Sequence, residues 1–168
     1  MTEIRVVPSL TQEQEDAIAA LGDIWQAAHL GLTWRPKTEH IVQYVGGVMA
    51  AKVSLLKHCV LVEGQEVWVG GVGGVLTMPE FQGRGYAAEL LHYTSGYLRD
   101  QLKVPFGLLF CRDALAPLYR RFRWQIIEDS VTIQQPAGAI LMPLHTMSLS
   151  CGTIEWPKGK VNLNSEPW

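Results

Sequence analysis

The chain has 168 residues, 48% of them hydrophobic and 18% charged, with a formal net charge of −2. That is enough apolar side chain for a single domain, 1–168, with a real core, which excludes a disordered chain. The charge balance excludes the basic face of a nucleic-acid binder, and no apolar run reaches the ~20 residues of a membrane span.

Ile4 to Val7 reads as a short strand closed by Pro8. Ser9 or Thr11 can cap a following helix, in which Ile18, Leu21, Trp25 and Ala28 recur at helical spacing until Gly31. Trp25 fits the apolar stripe of that helix, so core packing is its expected place. Ile41 to Val45, Val48 to Val62 and Val67 to Thr77 read as strands joined by Gly46-Gly47 and Glu63-Gly64-Gln65, an antiparallel meander. The third of these carries Gly70, Gly71, Gly73 and Gly74, a sign of a bulge or of close approach by another backbone or ligand. Ala87 to Leu102 reads as an amphipathic helix stopped by Val104-Pro105, and Gly107 to Cys111 as a buried strand. Ala114 to Phe122 is a short helix with Pro117 in its first turn. Trp124 to Ile133 and Ile140 to Met142 complete the strands. The class is α+β, a mixed and mostly antiparallel central sheet flanked by helices.

Met1-Thr2-Glu3-Ile4-Arg5 lacks a signal-peptide apolar core, so a soluble, cytoplasmic protein is expected. Cys59, Cys111 and Cys151 form no CxxC pair and suggest buried free thiols in a reducing compartment, with neither zinc nor disulfide framework. Arg120, Arg121 and Arg123 form the one dense basic cluster, read first as a helix end.

Gln82-Gly83-Arg84-Gly85-Tyr86-Ala87 lies between the glycine-bearing strand and the long helix. A strand that turns through small residues into a helix leaves several N–H groups facing one concavity. With the positive end of the helix dipole, those donors suit a phosphate.

Here the chain resembles the GCN5-related N-acetyltransferase (GNAT) superfamily. Gln82-x-x-Gly85-x-Ala87 is similar to its Arg/Gln-x-x-Gly-x-Gly/Ala loop, and Leu118-Tyr119 followed by Trp124 is similar to its short helix after the fifth strand. The tail Glu166-Pro167-Trp168 resembles the Asp-x-Trp terminus of aminoglycoside 2′-N-acetyltransferases. Val104-Pro105-Phe106-Gly107 and Glu155-Trp156-Pro157 with Gly159 resemble nodulation-factor N-acyltransferases. The resemblance implies a GNAT-like fold with a slot between splayed fourth and fifth strands. It implies acetyl-CoA as co-substrate, its pyrophosphate held by Gln82, Gly83, Arg84, Gly85, Tyr86 and Ala87, and its pantetheine amides paired along Val75, Leu76 and Thr77. The acceptor would be a primary amine on a small molecule, an amino sugar or aminoglycoside, with no metal, nucleic acid or membrane involved. A catalytically idle acyl-CoA-binding sensor or scaffold is the rival reading.

Acyl transfer to an amine needs loss of a proton from the amine, stabilisation of the carbonyl oxygen and an acid for the departing thiolate. The resemblance gives the acid to Tyr119. The fourth-strand glutamate of the aminoglycoside enzymes is replaced here by Gly71, Gly73 and Gly74. Three substitutes for the base stand open: the free C-terminal carboxylate of Trp168 helped by Glu166, His58, or ordered water alone. Trp34, Glu166 and Trp168 are the expected acceptor contacts, with the tail 143–168 lining the acceptor site. Arg123 stands where the superfamily has glycine, so the turn after the short helix is expected to take another form, with Tyr119 slightly displaced.

Overall fold

In a computed structural model describing residues 1–168, ten strands form one sheet. β1 (Thr2–Val7) pairs antiparallel with β2 (Glu39–Val45), and β2, β3 (Val48–Val62) and β4 (Gln65–Thr77) form the antiparallel meander expected from the glycine turns. β5 (Phe106–Cys111) then pairs parallel with β4. Parallel neighbours need a long crossover connection, and α2 (Tyr86–Asp100) supplies it. Leu90, Leu91 and Leu98 of α2 bury themselves against Val53, Leu55, Val72 and Leu109 of the sheet. No helix is long and apolar enough to cross a membrane.

The first helix is shorter than its apolar spacing suggests. α1 runs Gln12–Ala19, started by a capping box between Thr11 and Gln14. Beyond it Gly22 and Gln26 take positive φ, and the Asp23 carboxylate accepts from the N–H groups of Ala27 and Ala28 at 3.1 and 3.2 Å. Asp23 thus starts a separate 3₁₀ turn (Ala28–Leu30) and leaves Trp25 on a loop, 37% exposed, instead of in the core.

The stretch read as one strand, Trp124 to Ile133, is two. β6 (Gln125–Ile126) and β7 (Val131–Gln135) lie on opposite flanks of the sheet. β7 hairpins with β8 (Gly138–Leu141) and joins the far end of β3 through β10 (Val161–Asn162). β9 (His145–Ser150), which the sequence pattern did not suggest, pairs with β5 and β6.

Two local features shape the centre. The β3–β4 register shifts between Lys52↔Leu76 and Ser54↔Gly73, so Gly74 and Val75 together face one residue of β3. Gly74 has φ 55, and the extra residue bends β4 away from its neighbour. The β4–β5 ladder accordingly stops at Val72↔Leu109, although β4 continues to Thr77 and β5 to Cys111. The tail then folds back over the sheet. Trp168 is buried, its indole N–H donating to the Leu108 carbonyl at 3.2 Å. Its ring lies against Gly71, where a Cβ would approach the indole nitrogen to 2.6 Å.

The turn after α3 (Ala116–Arg120) corrects the expectation about Arg123. Arg123 adopts φ 71, its N–H bonds the Arg120 carbonyl at 3.1 Å, and the Trp124 N–H bonds the Tyr119 carbonyl at 3.2 Å. This is the helix-ending pair of bonds that glycine usually makes, formed here by arginine because both bonds and the buried Trp124 hold it. Arg123→Gly should relieve the left-handed strain and raise stability by about 0.5–1 kcal/mol in chemical denaturation. A loss of stability would show that arginine side-chain contacts outweigh the strain.

Candidate active site

Where β4 leaves β5, the chain turns through a 3₁₀ turn (Pro79–Phe81) into Gln82–Gly85 and then α2. Gln82 ties the loop to the strand end, its side-chain amide donating to the Thr77 carbonyl at 3.3 Å. Gly83 and Gly85 have φ 73 and 83, and Gly85 is the N-cap of α2 without a side-chain cap. The next main-chain donor engaged by a main-chain carbonyl after Gln82 is Glu89, bonded to Gly85. The N–H groups of residues 83–88 therefore form a row of free donors at the positive end of a 15-residue helix. The Arg84 guanidinium sits 5.8 Å from the Phe81 ring, on the exposed rim of this loop.

The edge of β4 beyond Val72 that β5 abandons includes Val75, Leu76 and Thr77. It opens into a cavity of about 460 Å³ lined by the residue-23–37 loop, β3, β4, β5 and α3. Tyr119 and Trp34 line it, and so does Trp168. Trp25 lines it too, its indole N–H donating to the Val75 carbonyl at 3.0 Å. Of residues 143–168, Leu144 and Trp168 reach the cavity; the Glu166 side chain does not line it. The Trp168 main-chain oxygen lies over Gly73, 3.2 Å from where a Cβ there would stand.

Tyr119 is buried on the α3 side, edge-on to Trp124 at 6.4 Å. Burial, with the Cys111 thiol adding to it, pushes its hydroxyl pKa upward, so it keeps its proton. Burial also pushes the Cys111 thiol up to about 11, which removes it as a thiolate nucleophile at neutral pH. His58 is spent. Arg35 lies 3.1 Å from its Nδ1, which must accept because arginine cannot, and its Nε2 donates to the Leu163 carbonyl at 2.8 Å. It does not line the cavity, and burial lowers its pKa.

Sequence reasoning passed over the two lysines of the cavity, Lys37 and Lys52. Lys52 is 5% exposed on β3, and its ammonium donates to Ser54 Oγ and to the Gly74 carbonyl, both at 2.9 Å. Ser54 Oγ in turn lies 2.7 Å from His40 Nδ1. Burial first, then the charge of Lys37, brings the Lys52 ammonium down to about 8. Burial lowers Lys37 as well, and burial with both lysine charges lowers His40. A charged residue inside the apolar run of β3 was the one available signal for Lys52; Lys37 reaches the site only through the loop's tertiary path. No group of three or more His, Cys, Asp or Glu side chains is placed to hold a metal ion.

A family model described as an acetyltransferase (GNAT) domain matches residues 10–127. No curated protein matches the chain by sequence. Among solved structures, the GNAT family N-acetyltransferase YhbS from Escherichia coli, in complex with CoA, superposes with a TM-score of 0.63 at 16% identity. That match covers 96% of this chain and 89% of YhbS. A GNAT family acetyltransferase from Brucella melitensis, in complex with acetyl-CoA, gives 0.55 at 17% identity, covering 95% and 94% of the two chains. A GCN5-related N-acetyltransferase from Kribbella flavida gives 0.52 at 21% identity over 74% of this chain. This chain spans only 34% of that protein. At these identities the likeness concerns the fold.

The unfolded chain holds the Lys52 proton up to ~10.4, whereas the folded protein releases it at about 8. Between those values the unfolded state binds more protons, so this residue's contribution to stability rises with pH there, and the penalty is fully present below pH 8. In denaturation series from pH 7 to 10, the stability of wild type minus that of Lys52→Met should rise by on the order of 2 kcal/mol. Subtraction removes the shared titrations of Cys111, Cys151 and Tyr97. A pH-independent difference would contradict the depressed pKa.

Proposed function

The chain belongs to the GNAT acetyltransferase family, and from its site we propose that it transfers an acetyl group from acetyl-CoA directly to a primary amine of a small molecule. One arrangement carries this reading: β4 parts from β5 after Val72, lines the Tyr119 cavity with Gly73, Gly74 and Val75, and runs on into the loop whose N–H groups at 83–88 are free. The loop donors and the helix dipole suit a diphosphate. The β4 edge at Val75, Leu76 and Thr77, which β5 does not pair, suits the amides of a pantetheine arm, which would pair there as an added strand does once Trp25 yields the Val75 carbonyl. Main-chain N–H groups along that edge would be the candidates to polarise a thioester carbonyl.

Within this reading Tyr119, held protonated by burial at neutral pH, stands as the acid to the departing sulfur, whose developing negative charge draws its proton across. Trp34 and Trp25 form an aromatic wall for the acceptor, and the Trp168 main-chain end closes the cavity floor at Gly73. Ordered water would accept the amine's proton; Glu166 would bear on it only from outside the cavity. The aromatic wall suits an amino sugar. Lys37, Lys52 and Arg112 against a single acidic liner, Asp23, favour a singly charged amine over a polycationic aminoglycoside.

Free thiol release from acetyl-CoA, assayed over a panel of small amines, tests the proposal, and turnover of at least one amine is expected. Gly85→Val, which forces a β-branched residue to φ 83, should weaken acetyl-CoA binding about tenfold or more. Tyr119→Phe should lower kcat by roughly 10²-fold or more, with acetyl-CoA affinity retained. Tight acetyl-CoA binding without thiol release on any amine would instead support an acyl-CoA sensor.

A further inference from the structure

The cavity holds an imbalance of charge that acetyl transfer alone does not use. Lys37 and Lys52 both line it, approaching adjacent residues of β4: a Cβ at Gly73 would come 2.9 Å from Lys37 Cε, and one at Gly74 would come 2.8 Å from Lys52 Nζ. The protein's ion pairs lie elsewhere, at Arg5–Glu3, Arg99–Asp100 and His145–Asp113. Lys52 spends two of its three donors on Ser54 and the Gly74 carbonyl, whereas no protein acceptor engages the Lys37 ammonium. Arg112, at the end of β5, gives one donor to Gln26 Oε1 at 3.0 Å and leaves its Nε buried without a partner. Asp23, the acidic liner, already caps Ala27 and Ala28. The other polar groups facing the lysines are His40 behind Ser54 on β2, Tyr119 on α3 and the Trp168 main-chain oxygen.

Ammonium groups taken out of water without counter-charges are costly, and a fold that keeps them in a cavity gains when an anion completes them. We propose that Lys37, backed by Lys52, binds an anionic group, a carboxylate or a phosphate, carried by the amine that this protein acetylates. The subsite rests on the acetyl-transfer reading and narrows its acceptor to amines such as amino acids or acidic amino sugars. The anion lies against the lysines on the β3 side and the amine is left facing β4 and Tyr119. Binding the anion also draws the acceptor in electrostatically, where a second ammonium on the substrate would be repelled.

Matched acceptor pairs test this: glucosamine against glucosamine 6-phosphate for the phosphate, and an amino acid against its amide for the carboxylate. In wild type the anionic member of at least one pair should have a kcat/KM about tenfold or more above its partner, with the difference mainly in KM. Lys37→Met should reduce that ratio to within about threefold while leaving the KM for acetyl-CoA unchanged, and Lys37→Arg should restore much of it. Equal kcat/KM within both pairs would overturn the subsite. So would a preference that survives Lys37→Met, or a Lys37→Met protein that loses thermal stability without any change in preference, since the lysine would then serve the Trp168 end. If no amine at all is acetylated, the transfer reading fails on its own. The same pairs titrated by calorimetry in the presence of CoA would then still decide the anion site.

Discussion

The parting of β4 from β5 after Val72 and Leu109 is the constraint on which the site depends. Two neighbouring parallel strands normally satisfy each other's main-chain groups along their whole length. Here an extra residue at Gly74 bends β4 out of register, and the two strands run on without pairing. Side chains take three carbonyls of this stretch, those of Gly74, Val75 and Thr77, and the remaining backbone groups are open to a ligand. The core under α2 and the second cluster, which includes Leu56, Phe106, Leu108 and Trp168, grip the paired halves of both strands, so the opening is fixed in place. The same bend directs the end of β4 into the loop that caps α2, and one distortion thus sets both the donor row and the cavity mouth.

Charge divides the site into two regions. At the α2 end the field is positive because main-chain dipoles point outward at residues 83–88, and it needs no buried ion. In the cavity the field is positive because lysines are held there against their preference for water. The depressed Lys52 pKa records that cost. Tyr119 lines the same cavity and is kept protonated by burial. Gly71 completes the arrangement through its lack of a side chain, which leaves room for the indole of Trp168.

Much of the frame was legible because local rules and tertiary structure agree. The glycine hairpins, the apolar strands β2 to β4, the capped start of α1 and the loop before α2 each carry their own short-range signal. The misreadings arose where a distant or unusual contact decides. The apolar spacing through Trp25 is helical, but Asp23 caps a new turn and brings Trp25 out to the Val75 carbonyl. Arg123 takes a glycine conformation because two hydrogen bonds close the end of α3 around it. β9 escaped notice because His145-Thr146-Met147-Ser148-Leu149-Ser150 mixes small polar residues into a strand buried by its neighbours. The turn at residues 82–87 is marked by its own glycines and Tyr119 is singled out by the family resemblance, whereas nothing local marks Lys37, a loop lysine, as facing a cavity.

Hydrogen exchange with and without coenzyme A probes the central claim most directly, because it reads main-chain amides one segment at a time. The account predicts slowed exchange in residues 83–88 and along 73–77 when the ligand is added, with the β7–β8 hairpin unaffected. Protection that leaves both of those segments unchanged and falls elsewhere would contradict it.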